Sequence, residues 1–219
     1  MNRPNVDEAL RYLGAARADP ELRRQAETLA DELAAALQPR YVWTVCPLTQ
    51  TGDGFRLEGT AVELSGATAG RMLKGCGQAA LLACTLGARF DAMLRTAQAR
   101  DMARAVLLDA LGSAFVEAGC DAAEEEISAR LPGLYRTDRF SPGYGDLPLT
   151  VQPALCAALD GGRRLGLTVT GSLLLNPMKS VTAILGLSDT PQPARVRGCQ
   201  FCALAGSCQY RKEGTTCGC

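Results

Sequence analysis

Residues 101–131 constrain the architecture more than any other stretch of this 219-residue chain. From Asp101 to about Leu131 they run without proline and are rich in alanine and leucine, which are strong helix formers. They predict one helix roughly 45 Å long at about 1.5 Å per residue, with Gly112 and Gly119 as possible bend points. A helix this long draws its stability from what packs against it.

The flanking segments supply that packing. Val6 to about Ala16 and Pro20 to about Leu37 read as amphipathic helices, the second with Asp19 as N-cap and Pro20 in the first turn. The period then changes: YVWTVCPL (41–48) and FRLEGTAVEL (55–64) are rich in β-branched and aromatic residues and flank TQTGDG, which predicts an antiparallel hairpin. A short helix near Ala67–Lys74 and an apolar strand over 78–87 follow. The intervening KGCGQAA contains GxGxxA, but a dinucleotide fingerprint follows a strand and opens a helix, the reverse of the order here. Beyond the loop RFSPGYGDLPL (139–149), the pattern predicts a helix over about 152–159 and strands over 167–175 and 180–187 joined by the turn NPMK. Helices and strands mix without regular βαβ alternation, so the expected class is α+β with a mainly antiparallel sheet. The linker DTPQPARVRG (189–198) divides a globular part, 1–190, from a tail, 191–219.

Composition narrows the function. Lys plus Arg and Asp plus Glu each number 23, so no global field directs the chain to nucleic acid or an anionic membrane. No run of about 18 apolar residues offers a membrane span, and the start MNRPNVDEAL lacks the pattern of a signal peptide, so a cytoplasmic protein is expected. Histidine is absent, which excludes Ser-His-Asp and Cys-His catalysis and every imidazole metal ligand. Of ten cysteines, Cys46, Cys76, Cys84, Cys120 and Cys156 lie in apolar segments and read as small buried hydrophobes. The other five, Cys199, Cys202, Cys208, Cys217 and Cys219, crowd the end of the chain.

In the 139–149 loop, SPGY fits a type II turn, with Pro142 fixing φ at the second position and Gly143 supplying positive φ at the third. Arg139 offers a planar fork of donors to a carboxylate, and Tyr144 a ring with one polar end. Alone, the motif also reads as a surface turn with Arg139 paired to a nearby acid. On the long helix Asp109, Ser113, Glu117, Asp121 and Glu125 recur every four residues and share a face, where like charges repel and a cation brings relief. A solvated acidic face is the other reading.

RFSPGYGDLPL resembles the RxxxGY signature of the activation domain of cobalamin-dependent methionine synthase. LGLTVTGSLLLNPMKSVTAILGLSD and DALGSAFVEAGCDAAEE resemble segments on either side of that signature, and a looser similarity extends over about residues 1–190. The resemblance implies a C-shaped α+β domain that binds S-adenosylmethionine (SAM) and presents its methyl group to a reduced corrinoid elsewhere. Arg139 would take the SAM carboxylate, Gly143 would allow close approach beside Ser141 and Pro142, Tyr144 would pack against the ligand, and Glu117, or Ser113 in another register, would meet the ammonium. The family's cobalamin motif carries a histidine and its homocysteine module a zinc site, neither of which a histidine-free chain of this length holds. The chain is therefore expected to act as a stand-alone reactivation protein toward a corrinoid-binding protein or split methionine synthase, fed by a low-potential electron donor. No catalytic acid or base is expected.

The tail CQFCALAGSCQYRKEGTTCGC has thiolates that can converge on one metal, four of the five completing a zinc site or an iron–sulfur cluster. Disulfides are the other reading. Reducing cob(II)alamin needs an electron that a [4Fe–4S] cluster can deliver and zinc cannot, which favours the cluster over zinc. The alternative function is a SAM-dependent methyltransferase or SAM-binding regulator with a structural zinc tail.

Overall fold

The computed structural model describes residues 3–15, 18–192, 206 and 212. The five tail cysteines lie outside the described residues. Seven helices and eight strands are assigned among the described residues. Two helices open the chain: α1, Val6–Tyr12, is capped by the Asn5 side chain, and α2, Pro20–Ala36, by Asp19, whose carboxylate accepts from Leu22 N at 2.9 Å.

Six strands form the main sheet: β1 (Arg40–Thr51), β2 (Gly54–Leu57), β3 (Glu63–Ser65), β4 (Gln78–Thr85), β5 (Tyr135–Arg136) and β8 (Ser180–Ser188). Their order is β3-β2-β1-β4-β8-β5, and every pairing is antiparallel. The fold is thus α+β with a mainly antiparallel sheet, as the sequence predicts. Residues 55–64, expected as one strand, divide into β2 and β3 because Leu57–Val62 turns: Thr60 N and Oγ1 both donate to Leu57 O, and Thr60 Oγ1 accepts from Val62 N.

Two apolar layers cover the sheet. Along β4, Ala80, Leu82 and Cys84 join one core and Ala79, Leu81 and Ala83 the other, as the period of two demands. That two-sided burial is why β4 reads as an unbroken apolar run. The first core takes α1, α2, α4 (Ala88–Arg100) and α5 (Met102–Arg130); the second takes α3 (Gly66–Leu73), α6 (Gln152–Ala158), which a short 3-10 turn precedes, and α7 (Gly161–Leu165).

Helix α5 is the predicted rod, continuous over 29 residues and N-capped by Asp101. Its two glycines are close-packing sites rather than breaks. A Cβ on Gly112 would lie 2.2 Å from Phe90 Cζ, and one on Gly119 would lie 2.5 Å from Pro39 Cβ and 2.6 Å from Cys84 Sγ.

Residues 167–175 do not form the predicted single strand. They make a small hairpin of β6 (Thr168–Val169) and β7 (Leu175–Asn176), since Thr170 closes a turn in which its Oγ1 accepts from Leu174 N and Leu173 takes φ +65°. Pro177 follows in a cis peptide bond, and only then does β8 begin. Of the first five cysteines, Cys46, Cys84, Cys120 and Cys156 are buried as expected, but Cys76 is half-buried in the α3–β4 loop. A hydrogen bond with Cys84, and after it burial, push the Cys120 thiol well above the usual thiol range, as suits a core residue. No helix among the described residues is long and apolar enough to cross a membrane.

Candidate functional site

The 139–149 loop is fastened to the edge of the sheet before it turns. Phe140 is buried and exchanges two backbone hydrogen bonds with Ile184 of β8, at 3.0 and 2.8 Å. Tyr144 N then donates to Ser141 O at 3.0 Å, closing the SPGY turn, and Gly143 sits at φ +89°, the type II geometry that the sequence predicts. Gly143 N donates to Leu147 O at 2.8 Å, so the turn folds back on itself.

Asp146 locks the loop to α3. The N-cap position of α3, Ser65, makes no side-chain cap bond; the Asp146 carboxylate accepts from Ala67 N at 2.7 Å and Thr68 N at 2.8 Å instead. The approach is tight, for a Cβ on Gly145 would lie 2.3 Å from Thr68 Oγ1. Hydrogen bonds from Thr68 and Ala67 lower the Asp146 pKa from 3.8 to about 2. Because its folded-state pKa is depressed, its contribution to stability is complete above the unfolded value and is lost as pH falls from about 4 toward 2. Thermal melts of Asp146→Asn and the parent chain should therefore differ at pH 6 and converge near pH 2. A gap that persists at pH 2 would contradict this assignment.

The Arg139 guanidinium faces α5 rather than the turn. Its Nη1 donates to Asp121 Oδ1 at 2.6 Å and to Glu124 Oε1, and its Nη2 donates to Glu117 Oε2. The side chain is only 11% exposed. Burial works against its charge, but the Glu117, Asp121 and Glu124 carboxylates outweigh it and hold the pKa above the ordinary arginine value. Glu124, almost fully buried, is shared with Arg136 of β5. Further along the same face, Lys179 Nζ pairs with Asp109 Oδ1 and donates to Ser113 Oγ, both at 2.9 Å. The repulsion along the predicted acidic stripe is thus relieved by the protein's own Lys179 and Arg139.

Glu117, Ser141 and Pro142 converge on one groove of about 500 Å³. Its walls come from the turn, Leu149 and Gln152, the β6–β7 hairpin (Leu173, Leu174, Leu175), the segment Met178–Lys179 and the start of β8 (Ser180, Val181, Thr182). Gln152 Nε2 donates to Thr182 Oγ1 at 2.8 Å and braces the floor. Leu174 and Met178 are each 57% exposed, a large apolar surface at one rim. A mostly apolar wall with a few fixed polar groups is the character of a small-molecule site. Arg139 reaches this groove through Glu117, whereas Gly143 and Tyr144 are exposed on the turn and do not line it.

Sequence reasoning missed Glu124 and the groove's far wall. Glu124 was legible in principle, since Glu117, Asp121 and Glu124 follow the i, i+4, i+7 spacing of one helix face. Among the described residues no group of three His, Cys, Asp or Glu side chains is placed to hold a metal ion.

No family model and no curated protein sequence matches the chain. The solved MetH reactivation domain bound to AdoHcy superposes with a TM-score of 0.62 at 18% sequence identity, covering 92% of this chain and 74% of that one. The chain has the fold of the methionine synthase reactivation domain.

Proposed function

We propose that this protein binds SAM in the groove beside Glu117, Ser141 and Pro142 and delivers its methyl group to a reduced corrinoid carried by a separate protein. The observation that supports this most is the convergence of those three residues, named from the sequence, on one groove in a fold whose relative was solved with AdoHcy bound.

The Glu117–Arg139 pair gives the reading a physical form. The amino-acid end of SAM is a zwitterion, so it can enter between the two side chains: Glu117 takes the ammonium and Arg139 takes the carboxylate. Every charge then keeps a partner, and Asp121 and Glu124 continue to hold the guanidinium in place. The apolar wall formed by Leu149, Leu173 and Val181 suits the adenine ring, and the hydroxyls of Ser141 and Ser180 suit the ribose. Gly143 and Tyr144 form the outer lip in this arrangement.

In the reaction, the methyl–sulfur bond of SAM breaks with its electron pair staying on sulfur, and the corrinoid's reduced cobalt supplies the pair for the new bond. No proton moves, which fits a chain without histidine. The protein's part is positioning. Cob(II)alamin must first gain one electron from a low-potential donor, and the tail cysteines are proposed from their spacing to hold a [4Fe–4S] cluster for that purpose, with zinc as the alternative. Iron, sulfide and zinc analysis of anaerobically purified protein decides between them.

Two measurements test the function. An anaerobic assay with SAM, a reductant and a corrinoid protein should show methylcobalamin forming as cob(II)alamin disappears, and absence of turnover with every corrinoid protein tried would count against the proposal. Glu117→Gln should weaken SAM binding about tenfold or more, the scale of losing a charge-assisted hydrogen bond; unchanged affinity would remove Glu117 from the site.

A further inference from the structure

A second groove, of about 420 Å³, lies between α2, α4 and the first turns of α5, and shares no residue with the groove beside Glu117. Its floor is apolar. Leu29 of α2, Ala97 of α4 and Leu108 of α5 belong to the first core, and the partly buried Met93 packs against it.

Along one wall Arg89, Met93, Thr96 and Arg100 follow at intervals of four, three and four, which sets them in one line on α4. That is the spacing of a coiled-coil seam. Arg89, Thr96 and Arg100 are nonetheless exposed, so no described helix covers it.

The charges in the groove are of one sign. Arg89 and Arg100, eleven residues apart, stand at its two ends, about 16 Å from each other along the helix axis. Neither makes a hydrogen bond or ion pair with a described residue, whereas Arg104 on the facing wall is held by Glu32 of α2. Asp101 is the single acid among the lining residues, and it is committed to the N-cap of α5, where it accepts from Arg104 N at 3.0 Å.

This layout selects an occupant. A small anion engages one end and leaves the other arginine unmatched. A helix spans both: carboxylates eleven residues apart reproduce the distance between the arginines, and apolar side chains between them meet the floor at the same intervals.

We infer that this groove docks an acidic amphipathic helix of a partner protein, with one carboxylate at Arg89, another at Arg100 and an apolar stripe against Leu29, Met93 and Leu108. The inference depends neither on SAM binding nor on a metal in the tail.

The test uses the full chain and a fluorescein-labelled helical peptide carrying two glutamates eleven residues apart, with leucines at the two seam positions between them. The spacing reads the same in both directions, so one peptide serves either orientation on α4. Its fluorescence anisotropy should rise to saturation, with affinity falling as salt is added. A peptide with lysines in place of the glutamates should bind about tenfold more weakly or worse, because like charges then face each other at both ends. In the double variant Arg89→Glu, Arg100→Glu the preference should reverse, the lysine peptide binding about tenfold more tightly than the glutamate peptide. Thr96→Trp, at an exposed position in the middle of the wall, should abolish binding. No saturable binding of the glutamate peptide, equal affinity for the two peptides, or an unreversed preference in the double variant would overturn the inference. Self-association of the chain that Thr96→Trp abolishes would also overturn it, by giving the groove to a second copy. If Thr96→Trp does not fold, the charge exchange decides alone, since both arginines are exposed.

Discussion

Arg139→Ala is expected to lower the unfolding free energy by about 3 kcal/mol, the lower end of the range for breaking a buried ion pair. The lower end applies because the carboxylates left behind are not equally stranded. Glu124 is almost fully buried but keeps Arg136, while Asp121 and Glu117 are 58% and 33% exposed and recover water. Arg139→Lys should restore only part of the loss, since one ammonium cannot reproduce a fork that reaches three carboxylates. Urea titrations of the three proteins measure this directly. A loss below about 1 kcal/mol would show that the guanidinium is held no more firmly than a surface pair. In variants that remain folded, SAM affinity should also fall by about 1.5–3 kcal/mol, the range for charged hydrogen bonds.

The second large effect concerns the contact between α4 and α5. Phe90→Ala should destabilise the fold by about 3–5 kcal/mol, because a fully buried ring is lost from the core. Gly112 makes the experiment sharper. In the parent chain Gly112→Ala places a methyl 2.2 Å from Phe90 Cζ and should destabilise by about 1–3 kcal/mol through overpacking. In the Phe90→Ala background that clash is gone, and the same change should become neutral or stabilise by up to about 1 kcal/mol through helix propensity. This reversal of sign in a double-mutant cycle is the diagnostic result. Additive effects would mean that the glycine does not serve the ring.

How much of this was legible in the sequence follows from how local each determinant is. Helix α5 was read to within a residue at each end because a proline-free Ala/Leu run capped by Asp101 needs no tertiary information. The SPGY turn was equally readable, as Pro142 and Gly143 fix its dihedral angles themselves. The single strand expected over 167–175 failed because apolar alternation outweighed the turn chemistry of Thr170 and the left-handed Leu173. Helix α4 gave no early signal, since its short stretch carries scattered arginines and its N-cap, Gly87, makes no side-chain bond.

The site divides in the same way. Glu117, Ser141 and Pro142 were named from motif and helix face, and they line one groove. The partners of Arg139 were only half foreseen: pairing with a nearby acid was the plainer reading of the loop, and the structure has three such acids on α5. Lys179 was read merely as part of a turn, although it stands against Asp109 and Ser113, 66 residues from the latter. Contacts across such separations depend on the register of β8 against β4, which no local pattern encodes.

The central claim is that the groove beside Glu117 accepts the amino-acid end of SAM by entering the Glu117–Arg139 pair. Calorimetric titration of SAM into the folded chain tests it most directly. One equivalent should bind in the parent chain, with affinity falling about tenfold or more in Glu117→Gln. Absence of binding heat over a range of temperatures at millimolar SAM, in protein shown to be folded, would contradict the claim.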